Sequence, residues 1–249
     1  ERIPTRGSVR VNGRDLHAGD APGLVAMVPQ DDLVHGELTV REAVRYAARI
    51  RLPGLEASKV DARVDAVLVD LGLYEHRDTV IGTPARRGIS GGQRKRVNIA
   101  IELVGDAPVL LLDEPTSGLA SSDAAELVML LDDLARHRGK TILTVIHQPS
   151  RREYERFARV IILGHGGRRI FEGTPRESYG FFDRYRARTN PEGAPVGDAA
   201  AVFECIRKRR LELEAQYPQG RSHDVAAQRW REEFEREWRP LHPAPPVTA

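Results

Sequence analysis

One cysteine, two methionines, two tryptophans and four lysines are all that this 249-residue sequence holds of those four residue types. A lone Cys205 cannot close a disulfide within the chain, so a cross-linked secreted scaffold is excluded and a reducing compartment fits. No apolar run approaches the roughly 20 residues that cross a bilayer. The opening Glu1-Arg2-Ile3-Pro4 leads into polar sequence and is no signal peptide. The expectation is a cytoplasmic protein whose membrane contact, if any, is made through a partner. Charge of one sign is also lacking: the formal net charge is +2, which leaves no footprint for nucleic acid. With lysine confined to positions 59, 95, 140 and 208, the other 34 basic residues are arginine, a choice that points to GC-rich coding more than to a ligand.

What is present is patterned as an α/β protein. Gly7 to Gly13 reads as a strand, with Val9 and Val11 alternating against Arg10 and a turn at Asn12-Gly13. Leu24 to Val28 is a short apolar strand. Thr39 and Glu42 form a capping-box pattern that opens a helix to about Ile50. A second helix starts near Ser58, with Val60, Val64, Val67, Leu68 and Leu71 on one face and Gly72 as its stop. Ser90 caps a third, running to about Val104. Residues 109–113 read as a buried strand, Ser121 or Ser122 begins a helix that Gly139 ends, and Thr141 to Ile146 is the next strand. Two more follow near 159–163 and 168–172. Strands near 109, 141 and 159 alternating with helices predict a largely parallel sheet covered on both faces, interrupted by a mainly helical stretch at 39–104. Asn190 to Asp198 reads as a linker, two charged helices follow near 199–216 and 223–238, and the Pro-rich stretch 240–246 cannot be helical. Trp230, Phe234 and Trp238 share one helix face, a packing stripe.

Three places carry chemistry. Val109-Leu110-Leu111-Leu112 ends in Asp113-Glu114, two carboxylates at the carboxyl end of a buried strand, where ligands bind in open α/β sheets. An Asp there can hold a hard cation such as Mg²⁺, and the neighbouring Glu can orient or deprotonate a water attacking a phosphate. A solvated acidic pair is the plain alternative. Ser90-Gly91-Gly92 opens a helix, where unpaired N–H groups favour an anion and glycine lets it approach the backbone. An ordinary serine cap would look the same. His147 ends the apolar run 141–146 and can donate to developing phosphate charge. A surface histidine is the bland reading. Arg94-Lys95-Arg96 reads mainly as a solvated helix face.

Taken in order, Ser90-Gly91-Gly92-Gln93, then Asp113-Glu114 continuing as Pro115-Thr116-Ser117-Gly118-Leu119, then His147-Gln148-Pro149-Ser150, resemble the ATP-binding cassette (ABC) ATPases. Val28-Pro29-Gln30-Asp31-Asp32 with Leu38-Thr39-Val40-Arg41-Glu42, and Gln93-Arg94-Lys95-Arg96, narrow the resemblance to the G subfamily of ABC transporters and its bacterial relatives. It covers roughly residues 5–185. It implies a RecA-like parallel-sheet core with an inserted α-helical subdomain, truncated at its N-terminal side. Residues 1–189 would be a partial nucleotide-binding domain with its helical subdomain at about 31–104. Residues 190–198 would be a linker, and 199–249 a helical extension with a Pro-rich tail. By the same resemblance, ATP and Mg²⁺ are the cofactors. Asp113 and Gln30 serve Mg²⁺, and Glu114, His147 and Gln30 serve hydrolysis. Ser90, Gly91, Gly92 and Gln93 serve ATP held by the opposite cassette of a head-to-tail dimer. The implied partners are that second cassette and a transmembrane permease domain powering export, with the domain at the inner face of the plasma membrane and no nucleic acid.

Two departures qualify the resemblance. No Gly-x-x-x-x-Gly-Lys-Ser/Thr occurs in the sequence. Gly139-Lys140-Thr141 is a decoy, because Leu134 stands five positions before Gly139 and the tripeptide joins a helix to a strand. In the family the strand at Gly7–Gly13 follows the phosphate loop, so the sequence is expected to begin just past it. Ala120 also stands where the family usually has Asp after Ser-Gly-Leu. These departures motivate an alternative, a cassette deficient in ATP binding with a regulatory or interaction role. A DNA- or ribosome-directed ABC ATPase is disfavoured by the absence of a long coiled coil, a second cassette or a basic excess.

Overall fold

The computed structural model describes residues 7–16, 23–83, 88–214 and 221–242. The chain divides into two compact units, residues 1–147 and 148–249, each described by itself. The tail at 243–249 lies outside the described residues.

In the first unit, β1 (Arg10–Val11) and β2 (Arg14–Asp15) form an antiparallel hairpin. Asn12 and Gly13 both take positive φ, 50° and 77°, the backbone of the two-residue turn that Asn-Gly favours. The strand expected over Gly7–Gly13 is therefore shorter, because the chain turns back after two residues. Three strands follow: β3 (Val25–Val28), β4 (Val109–Asp113) and β5 (Thr141–Val145). They pair in parallel in the order β3-β4-β5, with Val28 opposite Leu112 and Leu112 opposite Thr144. Between β3 and β4 the chain makes α1 (Val40–Arg51), α2 (Ala57–Asp70) and α3 (Gly91–Leu103), and α4 (Ser121–His137) joins β4 to β5.

Capping chemistry sets several of these boundaries. Thr39 and Glu42 exchange side-chain and backbone hydrogen bonds at the start of α1, and Ser90 and Gln93 do the same at α3, so each satisfies orphan N–H groups. The α2 boundary differs from expectation: the helix starts at Ala57 with Glu56 as its cap residue and no capping side chain. Gly72 stops it with φ at 63°. Arg41–Asp65 (3.0 Å) and Arg45–Asp61 (2.7 Å) tie α1 to α2. Leu68, Leu71, Leu73, Ile99 and Leu110 are fully buried in one core, each contributing about 1.5–3 kcal/mol by leaving water.

The sheet corrects the expectation of cover on both faces. Ala26, Val28, Leu110 and Leu112 pack with Val97, Ile99 and Leu103 of α3 and with Leu127, Leu131 and Leu134 of α4. Met27, Leu143 and Val145, which alternation sends to the other face, are 55%, 57% and 54% exposed.

The second unit begins with α5 (Arg151–Tyr154), capped by a Ser150–Glu153 box. β6 (Val160–Leu163) and β7 (Arg169–Gly173) pair antiparallel. Among the described residues, the strand near 159 pairs with β7 and with none of the parallel strands. Its connection to β7 is short and turns on Gly166 and Gly167 at positive φ, whereas a parallel partner needs a crossover of a dozen or more residues. α6 (Pro175–Thr189), α7 (Ala199–Glu214) and α8 (Arg221–Glu233) complete the unit. The helix expected over 223–238 ends in a wider π turn at Phe234–Trp238. The aromatic stripe is packing, as expected: Trp230, Phe234 and Trp238 are buried with Phe171, Phe181 and Phe182. Arg209 lies 4.2 Å from the Trp230 ring centroid, and His242 stacks on Trp238 at 3.9 Å. Cys205 is buried, and burial pushes its thiol up to about 11.

Trp230 is fully buried and meets three rings, those of Phe181, Phe182 and Tyr185. Trp230→Ala is expected to destabilise the second unit by about 3–5 kcal/mol, read as a lower denaturant midpoint. A loss below about 1 kcal/mol would show that this ring is not a keystone of the cluster.

Candidate functional site

Because β3, β4 and β5 run parallel, their carboxyl ends open on one edge. Gln30 follows β3, Glu114 follows β4, and His147 follows β5 by two residues. The structure brings these three together. Gln30 donates from Nε2 to Glu114 Oε2 at 3.2 Å, and His147 Nε2 lies 2.8 Å from Glu114 Oε1. Both carboxylate oxygens of Glu114 are thus engaged, one on each side. Its side chain is 22% exposed while that of His147 is 76% exposed, so the carboxylate sits back from solvent and the imidazole lies open to it.

The backbone at this edge is unusual. Glu114 takes φ of 45° and Gln148, just after His147, takes 44°. Non-glycine residues in this region cost about 1–3 kcal/mol and cluster at functional sites. Glu114 is held there at both ends: its N–H donates to the Val145 carbonyl at 3.1 Å, and its carbonyl accepts from Ser117 N at 3.0 Å. Asp113, the last residue of β4, is half-buried beside it. Among the described residues no three His, Cys, Asp or Glu side chains cluster as a metal cage.

The anion-site candidates lie elsewhere in the unit. Ser90 Oγ accepts from Gln93 N at 3.1 Å, and Gln93 Oε1 accepts from Ser90 N at 2.9 Å. Ser90 and Gln93 share no hydrogen bond with Gln30, Glu114 or His147 among the described residues. Gly91 is exposed with open space where a Cβ would stand. Gly92 is buried, and a Cβ there would meet the Asp123 carboxylate at 3.1 Å. One face of the α3 terminus is therefore free to be approached and the other is packed.

Sequence reasoning missed the run after this cap. Lys95 is buried, not solvated. Its Nζ donates to the Gln30 carbonyl at 2.7 Å and lies 2.9 Å from Asp32 Oδ1. Arg94 bonds the carbonyls of Gly82 and Ile81, and Arg96 pairs with Glu126 at 2.7 Å. All three basic residues are occupied by the fold. Asp32 was the available signal, since a buried lysine needs a counter-charge, but 63 positions separate the two residues in sequence.

Lys140 of the decoy tripeptide stands at the opposite end of the sheet, just before β5. It is bound to Asp106 Oδ1 at 2.8 Å and to the Ala107 carbonyl at 3.0 Å.

The ABC transporter family profile matches residues 1–117. The chain is 42% identical over 197 residues to ABC transporter G family member 19 of Arabidopsis thaliana, covering 78% of this chain and 27% of that protein. It is 37% identical over 213 residues to Protein white of Drosophila melanogaster, covering 85% and 31%. The chain belongs to the ABC transporter family. An uncharacterized ABC transporter ATP-binding protein/permease of Saccharomyces cerevisiae is 38% identical over 182 residues, 73% of this chain and 14% of that one. The cassette spans less than a third of the length of these curated relatives.

Two outcomes follow from the cassette's local geometry. Ala120 occupies the N-cap of α4 with cap-like dihedrals (φ −63°, ψ 152°) and no capping side chain. Ala120→Asp is expected to stabilise the unit by about 0.5–2 kcal/mol, seen as a raised melting temperature. No gain would mean the position is held by something other than helix capping. Asp106 has its carboxyl held below its ordinary 3.8, first by the Lys140 hydrogen bond and also by Arg63. A depressed carboxylate stabilises the fold above its unfolded pKa, and that contribution is lost as pH falls through the folded value. Asp106→Asn, which tolerates the same left-handed backbone, is expected to be less stable near neutral pH, with the gap closing below 3.8. Thermal melts across pH decide it. A gap that persists in acid would assign the loss to shape and not to charge.

Proposed function

We propose that the chain is the ATP-hydrolysing cassette of a transporter, most of its nucleotide-binding domain lying within 1–189. The single observation that carries this reading is Glu114 at a strand's carboxyl end, bracketed by Gln30 and His147 on its two oxygens. Bound Mg-ATP would supply the phosphoryl group that is transferred to water. Glu114 orients that water and accepts its proton. His147 donates to charge developing on the phosphate. Gln30 steadies Glu114 and, with Asp113, offers oxygen to the metal. Ser90, Gly91, Gly92 and Gln93 present a helix N-terminus to the ATP of an opposing cassette, which makes the working unit a head-to-tail dimer. A permease domain is the second partner, in keeping with the yeast relative, named as an ATP-binding protein/permease. Among the described residues no helix is long and apolar enough to cross a membrane, and the cassette is assigned to the inner face of the plasma membrane through that permease. Residues 199–249 are assigned to a helical extension with a Pro-rich tail beyond the cassette.

A second reading, a cassette without ATP binding of its own and with a regulatory role, draws on the lack of a Gly-x-x-x-x-Gly-Lys-Ser/Thr in this sequence and on Ala120. Tight Mg-ATP binding by the 249-residue chain would end it.

In a chain extended upstream to carry a phosphate-binding loop, Glu114→Gln is expected to lower ATP turnover by about 10²–10⁴-fold while ATP affinity holds. Turnover within a few-fold of the unaltered chain would remove Glu114 from the proposed role.

A further inference from the structure

Lys95 is a buried cation to which the hydrolytic reading gives no task. Its side chain is 6% exposed, on a helix whose first turn carries the anion-site candidates. An ammonium taken out of water needs a counter-charge and acceptors for its protons. Lys95 finds both in one short segment: the Gln30 carbonyl at 2.7 Å and Asp32 Oδ1 at 2.9 Å. Asn98, on the same face of α3 at i+3, adds two bonds to that segment. Its Nδ2 donates to Asp32 Oδ1 at 2.5 Å, and its Oδ1 accepts from Leu33 N at 3.2 Å.

The segment needs such a grip. Residues 31–35 belong to neither helix nor strand, so no ladder of their own holds them. Bulk stability is a poor reason for the charge, because a well-packed apolar residue in place of a buried ion pair is often neutral or stabilising. What an ammonium adds over an apolar side chain is direction, a donor aimed at one carbonyl. That carbonyl belongs to Gln30, whose side-chain amide reaches Glu114 Oε2 at 3.2 Å.

We propose that Lys95 is a positioning residue: by fixing the main chain of Gln30 to α3, it sets the Gln30 amide on Glu114. A displacement of α3 at its Ser90 end then changes how Gln30 meets the carboxylate. The inference rests on the assignment of Gln30 and Glu114 to the hydrolytic site. It gives the helix that faces a second nucleotide a bonded path to the water-handling glutamate of its own cassette, through Lys95, Gln30 and Glu114.

The test needs no nucleotide. In the isotope-labelled 249-residue chain, the Gln30 side-chain amide resonance is identified by its loss in Gln30→Ala. Glu114→Gln shifts it in the otherwise unaltered chain. In Lys95→Met that shift is expected to vanish, and a shift of the same size there would overturn the proposal. If Lys95→Met fails to fold, the Lys95 ammonium resonance, kept in slow exchange by burial, is followed instead. Glu114→Gln is then expected to move it when Gln30 is present and not in Gln30→Ala. An ammonium indifferent to Glu114→Gln, or equally responsive without the Gln30 side chain, would refute the path. Because ATP turnover is not read here, failure of this path and failure of the hydrolytic reading are separate results.

Discussion

Parallel pairing in register obliges β3, β4 and β5 to release their chains at the same edge of the sheet. The meeting of Gln30, Glu114 and His147 depends on that constraint. With Val28, Leu112 and Thr144 in line, the next residues of three remote segments emerge as neighbours, and Gln30, Glu114 and His147 meet without any of them being near another in sequence. An antiparallel strand in the middle would have sent Glu114 to the far edge, where Lys140 stands. The positive φ of Glu114 and of Gln148 belongs to the same event, since each chain must turn sharply as it leaves the ladder.

Helix α3 ties two parts of this arrangement together. Its cap faces outward with an open glycine, its apolar residues Val97, Ile99 and Leu103 enter the core, and Lys95 and Asn98 grip the segment after β3. One helix is therefore at once a wall of the core, a candidate anion site and the anchor of Gln30. A helix with three such commitments has little freedom to move in part. It shifts as a body or not at all, which is the behaviour a coupling element requires.

Much of this was legible in the sequence because the governing interactions are local. Apolar runs that stop at Asp113-Glu114 and at His147 announce strand ends, and the Thr39–Glu42 box and the Ser90 cap fix helix starts to within a residue. The errors arise where partners are remote. Arg94-Lys95-Arg96 has the composition of a solvated face, and only the fold reveals that Asp32 and the Gln30 carbonyl bury its central lysine. An apolar strand such as 159–163 does not say which strand it pairs with; the glycine turn before β7 decided that. Near-continuous apolar strands implied cover on both faces, yet Met27, Leu143 and Val145 stand open. Ala120 left no capping signal, so the start of α4 could be placed only between two serines.

That open face gives the cassette a thermodynamic dependence on its surroundings. Met27 on β3 and Leu143 and Val145 on β5 stand open on one face of the sheet, on the two strands that flank β4, and water ordered against them is released by whatever lies down on them. Any such cover binds the folded sheet and not the unfolded chain, so its binding free energy is added to that of folding. The stability of the unit is then a property of concentration and company as well as of sequence.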